Sequence, residues 1–553
     1  MKKLFIPLLI LLALLSTIVG CAKEEPAPAP APTPAPAPAA PAPAPAAPKE
    51  EKPVMAPAPT PVAPPAPGQA GIEYGGTLKY LYGYSPSKNI GWPLDNTNTQ
   101  SIWGTNFVFA EPLVQLMNDG SIRPYLATSW EIAPDKLSVT FHLRKGVKFH
   151  DGTEFNADAV KFTLDAAIEA GRAFGTTWKS ADIIDNYTVR LNLEKWLNSF
   201  WGNITATGCM FTSPTAFREK GMDWVKEHPI GTGPFKFVSW SRDQNMKFEK
   251  NPDYWQTGKP YLDKLEFITV KDRMTQQAAI LAGEGDVLAL QEAKEMSDAV
   301  KQGFTTSAFA AGTTFISPDS NNPDSVFANK LVREAIDYAL DRETLVAAIG
   351  YGYKIANTQL PTPVQSAFNP NVPGRKFNVA KAKELLVQAG YPDGIKTKLY
   401  VLDTYKDHSL IVQQMLKAVG VNAQIEILDN LKFWDMLMNG WSGGLMFAGF
   451  AWGTNFASTI RLFFKPTGMF FPSVKMPEGA TALMDKALDT IDVATQKSLN
   501  QELSKMLVDD CTVMAICSDA LGFIISPKVH GGQWLEGADW EYWSPADTWI
   551  SSK

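Results

Sequence analysis

Apolar and polar residues follow two different periods along this chain, and each period predicts a different secondary structure. Residues 137–143 (LSVTFHL) place an apolar side chain at every second position, which is the spacing of a half-buried strand. Residues 75–84 (GGTLKYLYGY) predict an earlier strand bounded by glycines. Val160 and Leu164 recur at helical spacing behind Asn156, a residue type that favours a helix start. The chain therefore mixes strands and helices.

The C-terminal half predicts a strand, a helix and a second strand in succession. Two further helices are predicted, one at residues 329–348 and one at residues 379–389. A pair of returning strands is predicted from residue 513 onward. Residues 397–403 (TKLYVLD) predict a strand, residues 408–419 a helix that Gly420 ends, and residues 421–427 the next strand. This order is typical of α/β folds.

The first twenty residues predict a secretory signal. Lys2 and Lys3 precede an apolar run over residues 4–19, which is short for a membrane span and typical of a signal peptide. The run ends in Ile-Val-Gly-Cys at residues 18–21, which resembles a bacterial lipobox. That resemblance implies that residues 1–20 are removed and that Cys21 is lipidated. The alternative is an ordinary signal peptide followed by a chance cysteine.

Residues 21–70 form a proline- and alanine-rich segment, with proline at every second or third position over most of its length. Proline disfavours helix and sheet hydrogen bonding, so we expect an extended polyproline II tether. At roughly 3.1 Å per residue, such a tether reaches on the order of 140 Å at most. A lipid and a long spacer imply a folded part that works outside the cytoplasm, beside the membrane that carries the anchor.

Length and charge narrow the class of protein further. Residues 71–553 are too many for one hydrophobic core and predict two or three lobes. The formal net charge is -6 and the basic residues are scattered, so nucleic acid is not an expected partner.

Metal and cofactor chemistry find little support in the sequence. Cys209, Cys511 and Cys517 match no zinc spacing and permit at most one internal disulfide, whose existence the sequence leaves open. The five histidines show no metal-ligand spacing on a helix. The Gly-Thr-Gly-Pro segment at residues 231–234 lacks the lysine of a phosphate loop and predicts a structural turn. We expect no cofactor and no metal.

A hydrolase motif needs separate consideration. Residues 440–444 read G-W-S-G-G, the G-x-S-x-G pattern of a nucleophile elbow with Ser442 at its centre. An elbow has a strand before the serine and a helix after it, whereas here a helix is predicted before and a strand after. The single histidine later in the chain is His530. We therefore expect no enzymatic activity, with a secreted serine hydrolase as the alternative.

Several motifs resemble one known family. Residues 126–165 (LATSWEIAPDKLSVTFHLRKGVKFHDGTEFNADAVKFTLD) are similar to the signature of family 5 extracytoplasmic solute-binding proteins, the peptide, dipeptide and nickel receptors of ABC importers. The resemblance continues, in order, through residues 229–240, 251–267, 276–287 and 330–346. It covers nearly all of the chain after the tether.

The resemblance implies an α/β fold of the larger periplasmic-binding-protein (Venus-flytrap) type, in which two lobes close on a ligand. Carried onto this chain, the first lobe comprises residues 71–109, 227–325 and 513–553. An extra domain on that lobe spans residues 110–226, and the second lobe spans residues 326–512. Two crossings near residues 316–322 and 513–520 would form the hinge.

The resemblance also implies where the ligand lies and which residues meet it. We expect ligand contacts from aromatic, polar and cationic residues that border the cleft: Tyr84, Trp92, Trp103, Asn106, Trp434, Phe450, Trp452, Thr454, Asn455 and Arg461. For each tryptophan the alternative is core packing, and for Arg461 it is a surface ion pair. The implied partners are a small ligand, an ABC permease with its ATPases and, through the anchor, a membrane, and we expect a monomer.

Ligand identity stays open in the sequence. In peptide-binding members of the family, an aspartate that follows the strand equivalent to residues 447–458 (FAGFAWGTNFAS) pairs with the peptide ammonium. Here residues 453–455 are Gly-Thr-Asn, and no acid occurs between residues 445 and 464. Either an acid from elsewhere takes over or the ligand has no amine there, as an oligosaccharide or a metal chelate would. A sensor that signals to a membrane kinase would need the same fold as an import receptor.

Overall fold

A computed structural model describes residues 71–83, 89–96, 103–117, 120–171, 177–205, 209–453, 455–464, 468–534 and 543–552. The predictions for the signal, for Cys21, for the tether, for Tyr84 and for Thr454 therefore lie outside the described residues, as does the side chain of Trp103.

The described part of the chain contains strands β1 (Thr77–Tyr82), β2 (Val114–Leu116), β3 (Ile122–Pro124), β4 (Ala127–Ile132), β5 (Ser138–Leu143), β6 (Trp178–Asp185), β7 (Thr188–Leu193), β8 (Phe235–Ser241), β9 (Asn245–Lys250), β10 (Lys264–Thr269), β11 (Val287–Glu292), β12 (Thr305–Pro318), β13 (Ile355–Ala356), β14 (Ile395–Leu402), β15 (Val421–Leu428), β16 (Gly444–Phe450), β17 (Met514–Ile525), β18 (Val529–Gly531) and β19 (Thr548–Ile550).

The helices of the same residues are α1 (Trp103–Phe109), α2 (Ala157–Glu169), α3 (Phe200–Thr205), α4 (Pro214–Lys220), α5 (Met222–Glu227), α6 (Arg273–Leu281), α7 (Ala293–Val300), α8 (Lys330–Ala339), α9 (Arg342–Ile349), α10 (Val379–Gln388), α11 (Lys406–Ala418), α12 (Asn430–Asn439), α13 (Phe456–Phe463), α14 (Ala480–Asp489) and α15 (Val493–Asp510).

Side-chain caps explain where several helices begin. Asn156 accepts a hydrogen bond from the Ala159 amide at 3.2 Å and starts α2, as its sequence position predicts. The single helix predicted over residues 329–348 is wrong, because the structure divides it into α8 and α9. Asp341 lies between the two and accepts from the Thr344 amide at 3.1 Å, so it caps a new helix instead of continuing the old one.

Two long antiparallel strands, β12 and β17, join the two halves of the main sheet. The sheet runs β15-β14-β16-β12-β17-β11-β1-β10-β9-β8, with β13 added beside β17. At one end of the pair, β17 carries β11, β1 and β10 of the first lobe. At the other end, β12 carries β16, β14 and β15 of the second lobe. The fold is therefore the α/β, two-lobed class that the sequence predicts.

Each lobe has cores of its own. In the second lobe one face of the sheet packs on α8, α10 and α11, and the other face packs on α12 to α15. In the first lobe, Leu78, Phe267 and Phe523 centre one core, and α6 and α7 cover the other face. A further core, built on the separate sheet β4-β5-β7-β6 and α2, belongs to residues of the predicted extra domain.

The turn at residues 231–234 is structural, as predicted, and it joins the extra domain to the first lobe. Gly231 and Gly233 lie so close to the Phe109 backbone that a β-carbon on Gly231 would sit 2.0 Å from the Phe109 carbonyl oxygen. Between them, the Thr232 hydroxyl donates to the buried Glu111 carboxylate at 2.7 Å. Burial raises the pKa of Glu111 to about 7.

Candidate functional site

The carboxyl ends of the parallel strands in both lobes point at the middle of the β12–β17 pair. In the first lobe, β11 runs from Val287, opposite Ile525, to Glu292, opposite Leu521. In the second lobe, β16 ends at Phe450, opposite Thr313. Ligands of α/β sheets bind outside the carboxyl ends of the strands. The two sets of strand ends therefore face one cleft.

The middle of the β12–β17 pair is irregular. The register of the two strands shifts between Ala310 and Gly312 and again between Thr314 and Phe315. A β-bulge interrupts the ladder and lets a strand bend. The strand pair that connects the lobes is thus weakest in regular hydrogen bonding where the cleft begins.

An accessible aromatic surface lies at the second-lobe edge of this cleft. Phe450 ends β16, and Trp434 of α12 packs edge-on against it with ring centroids 6.0 Å apart. Trp434 also contacts Phe470 at 5.8 Å and stays 41% exposed. Trp434 and Phe450, two of the residues predicted to contact the ligand, therefore form an apolar surface at this edge.

Trp452 lies in the core instead. It is 3% exposed, and its ring packs against Phe315 and Phe463, each at a centroid distance of 5.7 Å. Its carbonyl oxygen accepts a hydrogen bond from the Gln365 side chain. Its indole Nε1–H is buried and has no hydrogen-bond partner in the part of the chain that the structure describes. The ring thus fits the packing alternative, and only the N–H has unused binding capacity.

Three other predicted ligand residues are engaged by the protein. Asn455 accepts from the Ser458 amide at 3.2 Å, which caps α13, and donates its amide hydrogen to Asn198 of the extra domain. Arg461 forms an ion pair with Asp485, which fits the surface-pair alternative. Trp92 packs in the extra-domain core. These contacts leave little of the three side chains for a ligand.

Asn106 is the predicted residue with the most unused capacity. It lies on α1, is fully buried, and neither its Oδ1 nor its Nδ2 has a hydrogen-bond partner among the described residues. An unsatisfied buried amide is destabilising by about 1–3 kcal/mol, so such a group calls for a ligand or a water molecule. The sequence predicts Asn106 as a ligand contact, and the structure leaves its amide free for that role.

A charged cluster at the strand crossing was missed from the sequence. Asp519 of β17 forms an ion pair with Lys354 and accepts a hydrogen bond from Thr314 of β12. His408 lies nearby, and burial together with the Lys354 charge lowers its pKa to about 4. A single acid inside the apolar segment that becomes β17 is the signal that could have identified this cluster.

A separate cavity of about 490 Å³ lies away from the strand ends. It is lined by the stacked rings of Trp224 and His228, by His150, and by Phe237 and Trp240. This cavity therefore lies between the extra domain and the outer strand β8, and it is not part of the cleft.

Ser442 sits at the wrong end of its strand for cleft chemistry. It follows α12 and precedes β16, so the helix comes first and the strand second, as predicted and contrary to an elbow. It lies beside the amino end of β16, whereas Phe450 at the carboxyl end borders the cleft. The Ser442 side chain is exposed.

Ser442→Ala is therefore expected to leave stability within about 0.5 kcal/mol of the parent, the usual range for surface positions. Turnover of p-nitrophenyl acetate by purified parent and variant should be indistinguishable. Esterase activity that disappears in Ser442→Ala would contradict the assignment of this motif to a helix-to-strand turn.

Within the described ranges no cluster of histidine, cysteine and acidic side chains could hold a metal ion. Cys209, Cys511 and Cys517 are buried free thiols. The helices that the structure describes include none with the length and apolar character needed to cross a membrane.

Two lobes joined by a crossing strand pair, with opposed strand ends, define the class of two-lobed solute-binding proteins. The family model for bacterial extracellular solute-binding proteins, family 5, matches residues 121–463. The chain belongs to this family, whose members serve ABC importers, as its motifs predict.

Individual relatives agree with this assignment. The glutathione-binding protein GsiB of Pectobacterium atrosepticum is 29% identical over 369 residues, which are 65% of this chain and 69% of that protein. HbpA2 from Haemophilus parasuis superposes with a TM-score of 0.76 at 22% identity, covering 86% of this chain and 100% of the other. DppA from Helicobacter pylori, solved with the peptide STSA, has a TM-score of 0.67 at 24% identity and covers 86% and 98%.

Proposed function

We propose that this protein is the receptor of an ABC importer and captures a peptide-like solute between its lobes. The opposed carboxyl ends of the strands at a bulged crossing carry this proposal, because they create one cleft with a bendable connection behind it. The names of two similar proteins, a glutathione-binding protein and a DppA bound to a tetrapeptide, support a peptide-like ligand.

We propose that the hinge lies at the irregular middle of β12 and β17, which on β17 overlaps the crossing predicted at residues 513–520 and on β12 comes just before the one predicted at residues 316–322. Closure there brings the first-lobe strand ends toward Phe450 and Trp434. The buried amide of Asn106 and the N–H of Trp452 are two groups without a hydrogen-bond partner among the described residues that a ligand could satisfy. The lobe boundaries stay those predicted from the sequence, with residues 326–512 in the second lobe.

We propose Asp403 as the acid that meets a ligand ammonium. It directly follows β14, the neighbour of β16 in the sheet, so it lies one strand away from the position where peptide-binding relatives carry an aspartate. Its side chain is exposed, and its carboxylate has no hydrogen-bond or ion-pair partner among the described residues. A carboxylate in this position can accept charged hydrogen bonds from an amine.

Asp403→Asn should weaken binding of a free-amine tetrapeptide by about tenfold or more, the scale of a hydrogen bond to a charged group. Binding of the same peptide with an acetylated amine should not change. Asp407→Asn on the exposed start of α11 is the matched control. Isothermal titration calorimetry measures the affinity of each of the two variants for each of the two peptides. Equal affinities in all four measurements would remove Asp403 from the site.

Equilibrium unfolding tests the ligand class itself. Reduced glutathione or a short peptide at 100 times its dissociation constant should stabilise the protein by about 2.7 kcal/mol. An oligosaccharide or a metal chelate that stabilises the protein while every peptide fails would replace the peptide proposal with that ligand class.

Uptake assays distinguish import from signalling to a membrane kinase. We expect that loss of the receptor abolishes accumulation of the ligand in the cell.

We further propose that the mature protein is a lipoprotein anchored through Cys21. Cys21→Ser should abolish incorporation of labelled palmitate and release the protein from the membrane fraction, because the thiol that carries the lipid is gone. Membrane fractionation and labelling equal to the parent would contradict the anchor while leaving the receptor proposal intact.

A further inference from the structure

A short loop of the extra domain reaches the second lobe. Residues 194–199 connect β7 to α3, and this loop contacts the carboxyl end of α14. The backbone N–H of Asn198 donates to the Leu488 carbonyl oxygen at 2.8 Å, and the side-chain Nδ2 of Asn198 donates to the Ala487 carbonyl oxygen. Leu197 packs against the second-lobe core. The extra domain therefore touches both lobes.

The sequence of α14 explains why this contact forms. The helix ends at Asp489 without a glycine, and Thr490 turns directly into extended backbone with φ −80° and ψ 142°. The last carbonyl groups of a helix have no partner within it. Here the extra domain supplies the donors, since Lys136 reaches the Asp489 carbonyl oxygen at 2.9 Å and Trp196 reaches that of Thr490 at 3.4 Å. A cation at a helix carboxyl end also complements the helix dipole.

Asn198 links this contact to the cleft. Its side-chain oxygen accepts a hydrogen bond from Asn455, the residue that caps α13. Asn455 lies five residues after Phe450, which ends β16 at the second-lobe edge of the cleft. Asn198 thus binds the second lobe through three groups: its backbone N–H, its side-chain Nδ2 and its side-chain Oδ1. The residue is only 7% exposed.

The extra domain is fixed to the first lobe. Glu111 accepts hydrogen bonds from Thr232, Tyr254 and Trp255, and the His150 amide donates to the Gly231 carbonyl oxygen at 2.9 Å. The chain leaves the extra domain into β8 of the first lobe, enters the second lobe from β12 and returns from it through β17. A rotation of the second lobe about the β12–β17 pair must therefore break the contacts of Asn198.

We infer that Asn198 is a positioning residue that holds the cleft closed and fixes its second-lobe edge through Asn455. This inference rests on the proposed function, because it assigns the contact to the closed state of a receptor. The contact forms when the lobes close and is released when they open. It should slow ligand dissociation without speeding association, since it acts only after closure.

The test compares Asn198→Ala with Asn192→Ala in the full chain carrying Cys21→Ser. Asn192 is the matched control because, among the described residues, its side chain bonds to Ser180 and Asp182 of the extra domain and to no residue of the second lobe. Spin labels at Lys179→Cys in the extra domain and Lys417→Cys in the second lobe report the distance between the two parts, and both sites are exposed. Pulsed electron spin resonance measures the distance distribution without ligand and with excess glutathione.

Asn198→Ala should raise the ratio of open to closed molecules about tenfold, the change expected when roughly two net hydrogen bonds are lost. Asn192→Ala should leave the distribution unchanged. An unaltered distribution in Asn198→Ala, with a lowered unfolding midpoint, would reduce the contact to a static helix cap and overturn the inference. If Asn198→Ala fails to fold, Lys136→Met must show the same shift on a smaller scale, and its absence overturns the inference equally.

The outcomes separate this inference from the function on which it rests. If neither glutathione nor a peptide binds to the parent protein or changes the distance between its spin labels, the proposed ligand class fails. The ratio between variant and control without ligand still decides whether Asn198 controls opening. A ligand that closes both variants equally, with equal dissociation rates, supports the receptor and contradicts the role of Asn198.

Discussion

Trp452→Ala is expected to lower the free energy of unfolding by about 3–5 kcal/mol, the usual loss when a buried tryptophan is truncated in a core. The ring packs against Phe315, Phe463 and Phe464, so its removal leaves a cavity among these three rings. Urea unfolding followed by fluorescence and circular dichroism measures the change.

Trp434→Ala is the matched control, since the same side chain is removed from a position that is 41% exposed. It should change stability by about 1 kcal/mol or less and should instead weaken ligand binding. Equal, small losses of stability in both variants would show that Trp452 does not belong to the core.

Asp519→Ala is expected to destabilise the protein by about 3 kcal/mol, because it leaves the Lys354 ammonium buried without its partner. The two side chains are 19% and 13% exposed, so little water reaches the ion pair. Thr314 also loses its acceptor on β17. The loss should appear in urea unfolding at neutral pH.

The double variant Lys354→Met with Asp519→Leu provides the control. Replacing both members of a buried ion pair by apolar residues is often neutral, so the double variant should recover most of the stability lost in Asp519→Ala. A double variant as unstable as the single one would mean that Asp519 acts through Thr314 and the strand crossing, and not through Lys354.

The sequence predicts the architecture well because its signals are local. Alternating positions in residues 137–143 become β5, and the glycine after residue 419 ends the α11 region. The helix over residues 329–348 is the exception. The helical spacing of its apolar residues continues past Asp341. The helix is interrupted there because the Asp341 side chain caps the start of α9.

The candidate site is harder to predict, because burial depends on neighbours that are distant in sequence. Trp434 and Trp452 both lie in segments that are expected to border the cleft. Trp434 is exposed, whereas Trp452 is enclosed by phenylalanines. Asn455 looks like a free amide in sequence, but its partner, Asn198, is 257 residues away. No period or motif connects such residues, whereas the fold brings them together.

Ligand-induced closure is the central claim, and small-angle X-ray scattering measures it most directly. The full chain carrying Cys21→Ser should become more compact on addition of saturating glutathione or a short peptide, because the ligand favours the state in which both lobes contact it. The same compaction should be weaker in Trp434→Ala. Binding of the ligand with no change in the radius of gyration would contradict a receptor that encloses its solute between two lobes.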